Sequence, residues 1–129
     1  MWSNRPKPIA VKFIHALSGS DASAALSMLA DDVTYTDSRG YGVEGRDACS
    51  EALRRFFEMD LDFRIDPERV SQRGNEVLVS GSCSAKDARL NAKCLWRITV
   101  VDGKIAGYRS YRAESPPAFA KVLIPEAVV

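Results

Sequence analysis

The sequence predicts an α+β fold in which helices pack on one face of a curved sheet. Three observations carry this. The chain is 129 residues long, 46% apolar and 27% charged, the make-up of one ordinary globular domain able to bury a core without disulfides or a structural metal. Its first half repeats apolar residues at helical spacing. After Asp60 the period falls to two and stays there, so helices precede long antiparallel strands.

Residues 1–6 read as a loose arm, and Pro8 suits the first turn of a helix. From there Ala10, Phe13, Ile14 and Leu17 recur at helical spacing, until Ser18-Gly19-Ser20 breaks the pattern. Asp21 or Ser20 can cap a second helix with the stripe Ala22, Ala25, Leu26 and Leu29. The stretch DDVTYTDSRG, residues 31–40, then forms a short strand. Val33, Tyr35 and Asp37 share one of its faces and Thr34 and Thr36 the other. SRGYGVEG reads as a glycine-rich loop. A third helix spans about Arg46 to Met59, with Cys49, Ala52, Leu53 and Phe56 on its apolar face.

In the second half Leu61, Phe63 and Ile65 alternate with charged residues, and Val77, Val79, Gly81 and Cys83 form the next inward row. Leu90, Ala92, Cys94, Trp96, Ile98 and Val100 alternate with outward residues that include Lys93, Leu95 and Arg97. Asp102-Gly103 signals a hairpin, Ile105 to about Arg112 makes the last strand, and Pro116-Pro117 ends it. One short helical turn is expected in the tail.

Several function classes are excluded on composition. A formal charge of +1 gives no electrostatic reason to expect nucleic acid or an anionic membrane as partner. No apolar run reaches membrane-spanning length, and the N-terminus lacks the apolar segment of a secretion signal, so a cytoplasmic location is expected. Cys49, Cys83 and Cys94 form no CxxC pair, and the single His15, off the main apolar stripe, cannot complete a zinc set with them. The three cysteines read as reduced, inert thiols on inward faces. No metal and no cofactor is expected.

The phrases KFIHALSGSD, LADDVTYTD, GRDACSEALRRFF and VVDGKIAGYRSY, in this order and spacing across residues 8–112, resemble the nuclear transport factor 2-like superfamily, in its SnoaL-like and ketosteroid-isomerase-like branch. The resemblance implies a single domain over residues 1–129, with a core at about 8–112 and a tail at 113–129. It implies a cystatin-like α+β roll, a cone-shaped antiparallel sheet wrapped around three N-terminal helices with an apolar pocket at its open end. It also implies homodimers paired through the outer sheet face, where Leu95 stands.

Ketosteroid isomerases separate roles: an ionised carboxylate moves a proton, while a tyrosine and a protonated acid hold the enolate oxygen. Carried over by position, the base falls on Asp37, the tyrosine on Phe13, and the acid on Leu95 or Trp96. The base position is kept and the oxyanion hole is not, which argues against classical steroid isomerisation. In many relatives the last strand closes with tyrosine and aspartate; here Tyr111 is followed by Arg112. The pocket is expected to be lined by Phe13, Leu17, Val33, Tyr35, Phe56, Phe63 and Trp96, with Tyr108 and Tyr111 on opposite faces of the last strand and one of them turned inward.

Two readings follow. In the first, the chain is a cofactor-independent isomerase-, cyclase- or hydrolase-like enzyme for an apolar small molecule, with Asp37 as general base in the pocket wall. In the second, it is a non-catalytic binding module for an apolar metabolite, or a dimeric scaffold whose pocket is filled. As a bland alternative, Asp37 opens a turn before Ser38-Arg39-Gly40.

Overall fold

A computed structural model describes residues 5–112 and 123–124. The elements run α1 (Pro6–Ser18), α2 (Ala22–Ser27), β1 (Leu29–Thr36), β2 (Gly42–Glu44), α3 (Arg46–Glu58), β3 (Arg64–Arg73), β4 (Glu76–Ser84), a 3-10 turn (Ala88–Leu90), β5 (Ala92–Val101) and β6 (Lys104–Arg112). Helix α1 starts at Pro6, two residues before Pro8, so the expected loose arm is shortened from its C-terminal side. Residues 1–4, and residues 113–122 and 125–129 of the tail in which a helical turn is expected, lie outside the described residues.

The local causes match the sequence. Proline sits in the first turn of α1, where its missing N–H is lost at no cost. Asp21 caps α2 by accepting from the Ala24 N–H at 3.1 Å. Gly45 precedes α3 with φ +90°, a backbone state that glycine reaches without strain.

The six strands form one sheet in the order β2-β1-β6-β5-β4-β3. It is mixed, not purely antiparallel as expected. β1 runs parallel to β6, pairing Tyr35 with Tyr108 and Thr36 with Arg109. No hairpin links these two strands. Helix α3 and four further strands separate them in the chain, so their relative direction is set by the winding of the sheet and not by a turn. β2, read from sequence as part of a loop, pairs antiparallel with β1 at the sheet edge.

Helix α1 lies across β3 and β5 inside the sheet's curve, and α3 packs on β1. Their apolar faces meet the inward rows of the strands in one core. Phe13, Val33, Val77, Ile98 and Ile105 are fully enclosed there. Burying a ring the size of Phe13 contributes roughly 2–3 kcal/mol. The Ser18 hydroxyl accepts from the Ile65 N–H at 3.0 Å and ties the end of α1 to the start of β3. His15 is exposed on α1, as its place off the apolar stripe suggests.

Candidate active site: the pocket at the open end of the sheet

One apolar pocket opens between α1, α3 and the inner face of the sheet. Its volume is about 90 Å³. Leu17 of α1, Phe56 of α3, Phe63 just before β3 and Trp96 of β5 make its apolar wall. Phe56 and Phe63 meet edge to face with centroids 5.2 Å apart. Tyr35 and Tyr108 stack at 4.8 Å across the parallel β1–β6 pair and close the floor. The structure brings these six of the named residues together.

Three expected liners are elsewhere. Phe13 is sealed in the core, its ring edge-on to Tyr108 at 5.2 Å. Val33 is fully buried one pleat before Tyr35 and is not among the described lining residues. Tyr111 is on the other face of β6, with the Arg109 guanidinium 4.7 Å from its ring centre. Of the two tyrosines on β6, the inward one is Tyr108.

The same alternation that turns Tyr108 inward brings Ser110 and Arg112 to the pocket, and β5 adds Cys94 beside Trp96. Cys94 is on the inward row the sequence predicts; Ser110 and Arg112 do not stand out, because a polar residue on an inward row reads as the strand's end. Ala52 and Leu53 of α3 and Leu123 from the tail complete the lining. The Leu123 carbonyl accepts from the Arg55 guanidinium.

The polar groups gather on one side. Ser110 lines the pocket beside Tyr35. Burial, then the nearby charge of Asp37, push the Tyr35 phenol far above its ordinary range, so it is a neutral donor. Burial does the same to Tyr108. Arg112 donates to the Arg89 carbonyl at 3.2 Å and faces the Cys83 sulfur at 3.9 Å; among the described residues no carboxylate pairs with it.

Asp37 is buried, 1% exposed, yet it is not among the described lining residues. One carboxylate oxygen, Oδ1, accepts from the Arg39 N–H at 2.9 Å and the Tyr41 N–H at 3.0 Å. Its own N–H donates to the Tyr41 carbonyl, and its carbonyl accepts from Gly40, where φ is +89°. Asp37 therefore organises the turn from β1 into β2. A carboxylate buried on this strand face is accounted for by donors from its own loop, and its charge still reaches Tyr35.

A model of the SnoaL-like domain matches residues 10–108. The chain belongs to the SnoaL-like family. No match is found among curated proteins. Among solved structures, an LEH-like epoxide hydrolase from M. tuberculosis superposes with a TM-score of 0.73 at 22% identity, over 83% of this chain and 81% of that one. A candidate ketosteroid isomerase from Kribbella flavida gives 0.72 at 22% identity, over 87% and 82%. A cystatin-fold protein from Novosphingobium aromaticivorans gives 0.73 at 19% identity, over 83% and 97%. At such identities the likeness is one of fold, and it agrees with the α+β cone of this SnoaL-like chain.

Proposed function

We propose that this SnoaL-like chain binds a compact apolar molecule carrying an acidic head. The supporting observation is the placement of Arg112: a cation without a described carboxylate partner, beside Ser110 and Tyr35, at one side of an otherwise apolar pocket. A carboxylate there would accept from the guanidinium and the hydroxyls while its hydrocarbon body lies on Phe56, Phe63 and Trp96. A volume of about 90 Å³ is below the roughly 150 Å³ of an engineered cavity that takes benzene. A longer ligand therefore extends through the pocket mouth or displaces Leu123.

Octanoate and octanol test this directly, since they share a body and differ in the head. Trp96 emission in a Trp2→Phe background reports both. A charge-assisted hydrogen bond is worth about 1.5–3 kcal/mol, so octanoate should bind tenfold or more tighter, and Arg112→Gln should abolish the preference. Equal binding of the two, or binding of neither, sinks the proposal.

A second reading keeps Asp37 as a general base for an isomerase-, cyclase- or hydrolase-like step. The observation that favours it is the charge of Asp37 felt by the pocket tyrosine, Tyr35. Asp37→Asn keeps an acceptor for the loop and removes the base. Turnover of any substrate, a terminal epoxide for example, that survives this change unaltered would refute it. For assembly, Leu78 and Leu95 stand exposed on the outer faces of β4 and β5, which supports pairing of two copies there. Light scattering that finds a monomer in wild type, or an unchanged dimer in Leu78→Asp/Leu95→Asp, argues against it.

A further inference from the structure

Cys83 and Cys94 are diagonal neighbours across the β4–β5 ladder, in which Cys83 opposes Ala92 and Gly81 opposes Cys94. Their sulfurs are 3.1 Å apart and both thiols are free. With no side chain on Gly81, nothing on β4 stands between them. Cys94 also lines the pocket, which gives a small reagent a path to the pair.

We propose that Cys83 and Cys94 form an oxidative modification site, a dithiol that a peroxide closes to a disulfide in the pocket wall. A disulfide bond is about 2.05 Å long, so closure needs a movement of about 1 Å. Cys83 is the attacking sulfur. Hydrogen bonding from the Cys94 thiol and the Arg112 guanidinium favour its thiolate, against the cost of burial. In the resting state its S–H is held by the Leu90 carbonyl at 3.2 Å, and that contact is given up on ionisation. The same pairing leaves the proton on Cys94.

The thiolate of Cys83 attacks one oxygen of hydrogen peroxide. The O–O bond breaks, hydroxide leaves and takes up a proton, and Cys83 becomes a sulfenic acid. The Cys94 sulfur, losing its proton, then attacks the Cys83 sulfur and expels the hydroxyl as water. Two thiols and one peroxide give one disulfide and two waters, so the thiols lose the two electrons that the peroxide gains. Cys49 is different. Its thiol is near the Val33 and Val43 carbonyls, at 3.6 and 3.4 Å, and burial pushes it up to about 11.

The test is peptide mapping of the folded protein after hydrogen peroxide, with iodoacetamide added on denaturation. The expected result is loss of two of the three free thiols. The intact mass falls by two hydrogen atoms, Cys83 and Cys94 are recovered as one cross-linked peptide, and Cys49 is alkylated. In Cys94→Ser, and independently in Cys94→Ala, oxidation stops at Cys83 and is trapped by dimedone. The proposal is overturned if Cys83 and Cys94 are both alkylated after a dose that oxidises free glutathione. It is overturned equally if Cys49 enters the cross-link, or if the bond joins two molecules.

Discussion

Gly81 has no room for a side chain. Strand β3 pairs Pro67 with Gly81 and then slips, so that Arg69 faces Ser80. This bulge brings the Asp66 carbonyl over β4. A Cβ on Gly81 would stand 2.2 Å from the Asp66 oxygen and 3.0 Å from both the Asp66 carbonyl carbon and the Pro67 Cα. Non-bonded carbons do not approach an oxygen closer than 3.0 Å, so Gly81→Ala forces β3 back by at least 0.8 Å, the difference of the two distances. Overpacking of this kind costs about 1–3 kcal/mol, and each ladder hydrogen bond lost beside the bulge adds about 1 kcal/mol. The expected loss is about 3 kcal/mol. For a domain of this size that lowers Tm by about 10 °C. Thermal and urea unfolding followed by circular dichroism measure it, with an unchanged m-value as the check that both states are otherwise the same. Gly74→Asn is the control: φ there is +59°, a region Asn enters more readily than most residues, and no atom lies within 4 Å of an added Cβ, so Asn meets backbone strain of about 1 kcal/mol but no clash, and should cost less than Gly81→Ala. A Gly81→Ala protein within about 0.5 kcal/mol of wild type would refute this account of the bulge.

Two further outcomes are expected. Asp37→Ala should destabilise by about 1–3 kcal/mol, because the Arg39 and Tyr41 N–H groups lose their acceptor, whereas Asp37→Asn should cost under about 1 kcal/mol; urea midpoints of the two variants separate the cases, and equal losses would contradict the assigned bonds. Stability should also fall as pH rises from about 9 to 11, because Cys49 ionises near 9.0 when unfolded and only at about 11 when folded. Its contribution is fully present below the lower value and is lost as pH passes through the upper one, amounting to at most about 3 kcal/mol. Urea titrations at pH 8 and pH 11 should show a smaller drop in Cys49→Ala than in wild type.

Much of the fold is legible because period is a local property. The inward row of β5 appears as alternation in sequence and again as alternating burial in the structure. The helix stripes behave likewise. Strand β2 escapes because three residues, Gly42-Val43-Glu44, are too few to display a period. The parallel β1–β6 pairing escapes because alternation carries no information about strand direction. At the site, the aromatic walls are legible as large apolar residues on inward rows. Arg112 and Ser110 are not, since a polar residue at a strand's end is equally expected to face water. Asp37 is instructive in a different way. Its alternation with Val33 and Tyr35 correctly places it inward, but its destination depends on the loop after it, whose backbone N–H groups fold back onto Oδ1. The closeness of Cys83 and Cys94 depends on register, which no single strand discloses.

The parallel pairing of β1 with β6 also bears on the order of assembly. Tyr35 leaves the ribosome early, and its stacking partner, Tyr108, is among the last described core residues to emerge. The hairpins β3–β4, β4–β5 and β5–β6 can each form from neighbouring sequence as it appears, and α1 packs on β3 and β5, but β1, with α3 packed on it, joins the rest of the sheet only through β6. The pocket floor thus forms only after the three hairpin strands before β6 have been made. A nascent chain stalled before Gly107 would hold its helices, its hairpins and most of its apolar residues, with nothing yet to bind.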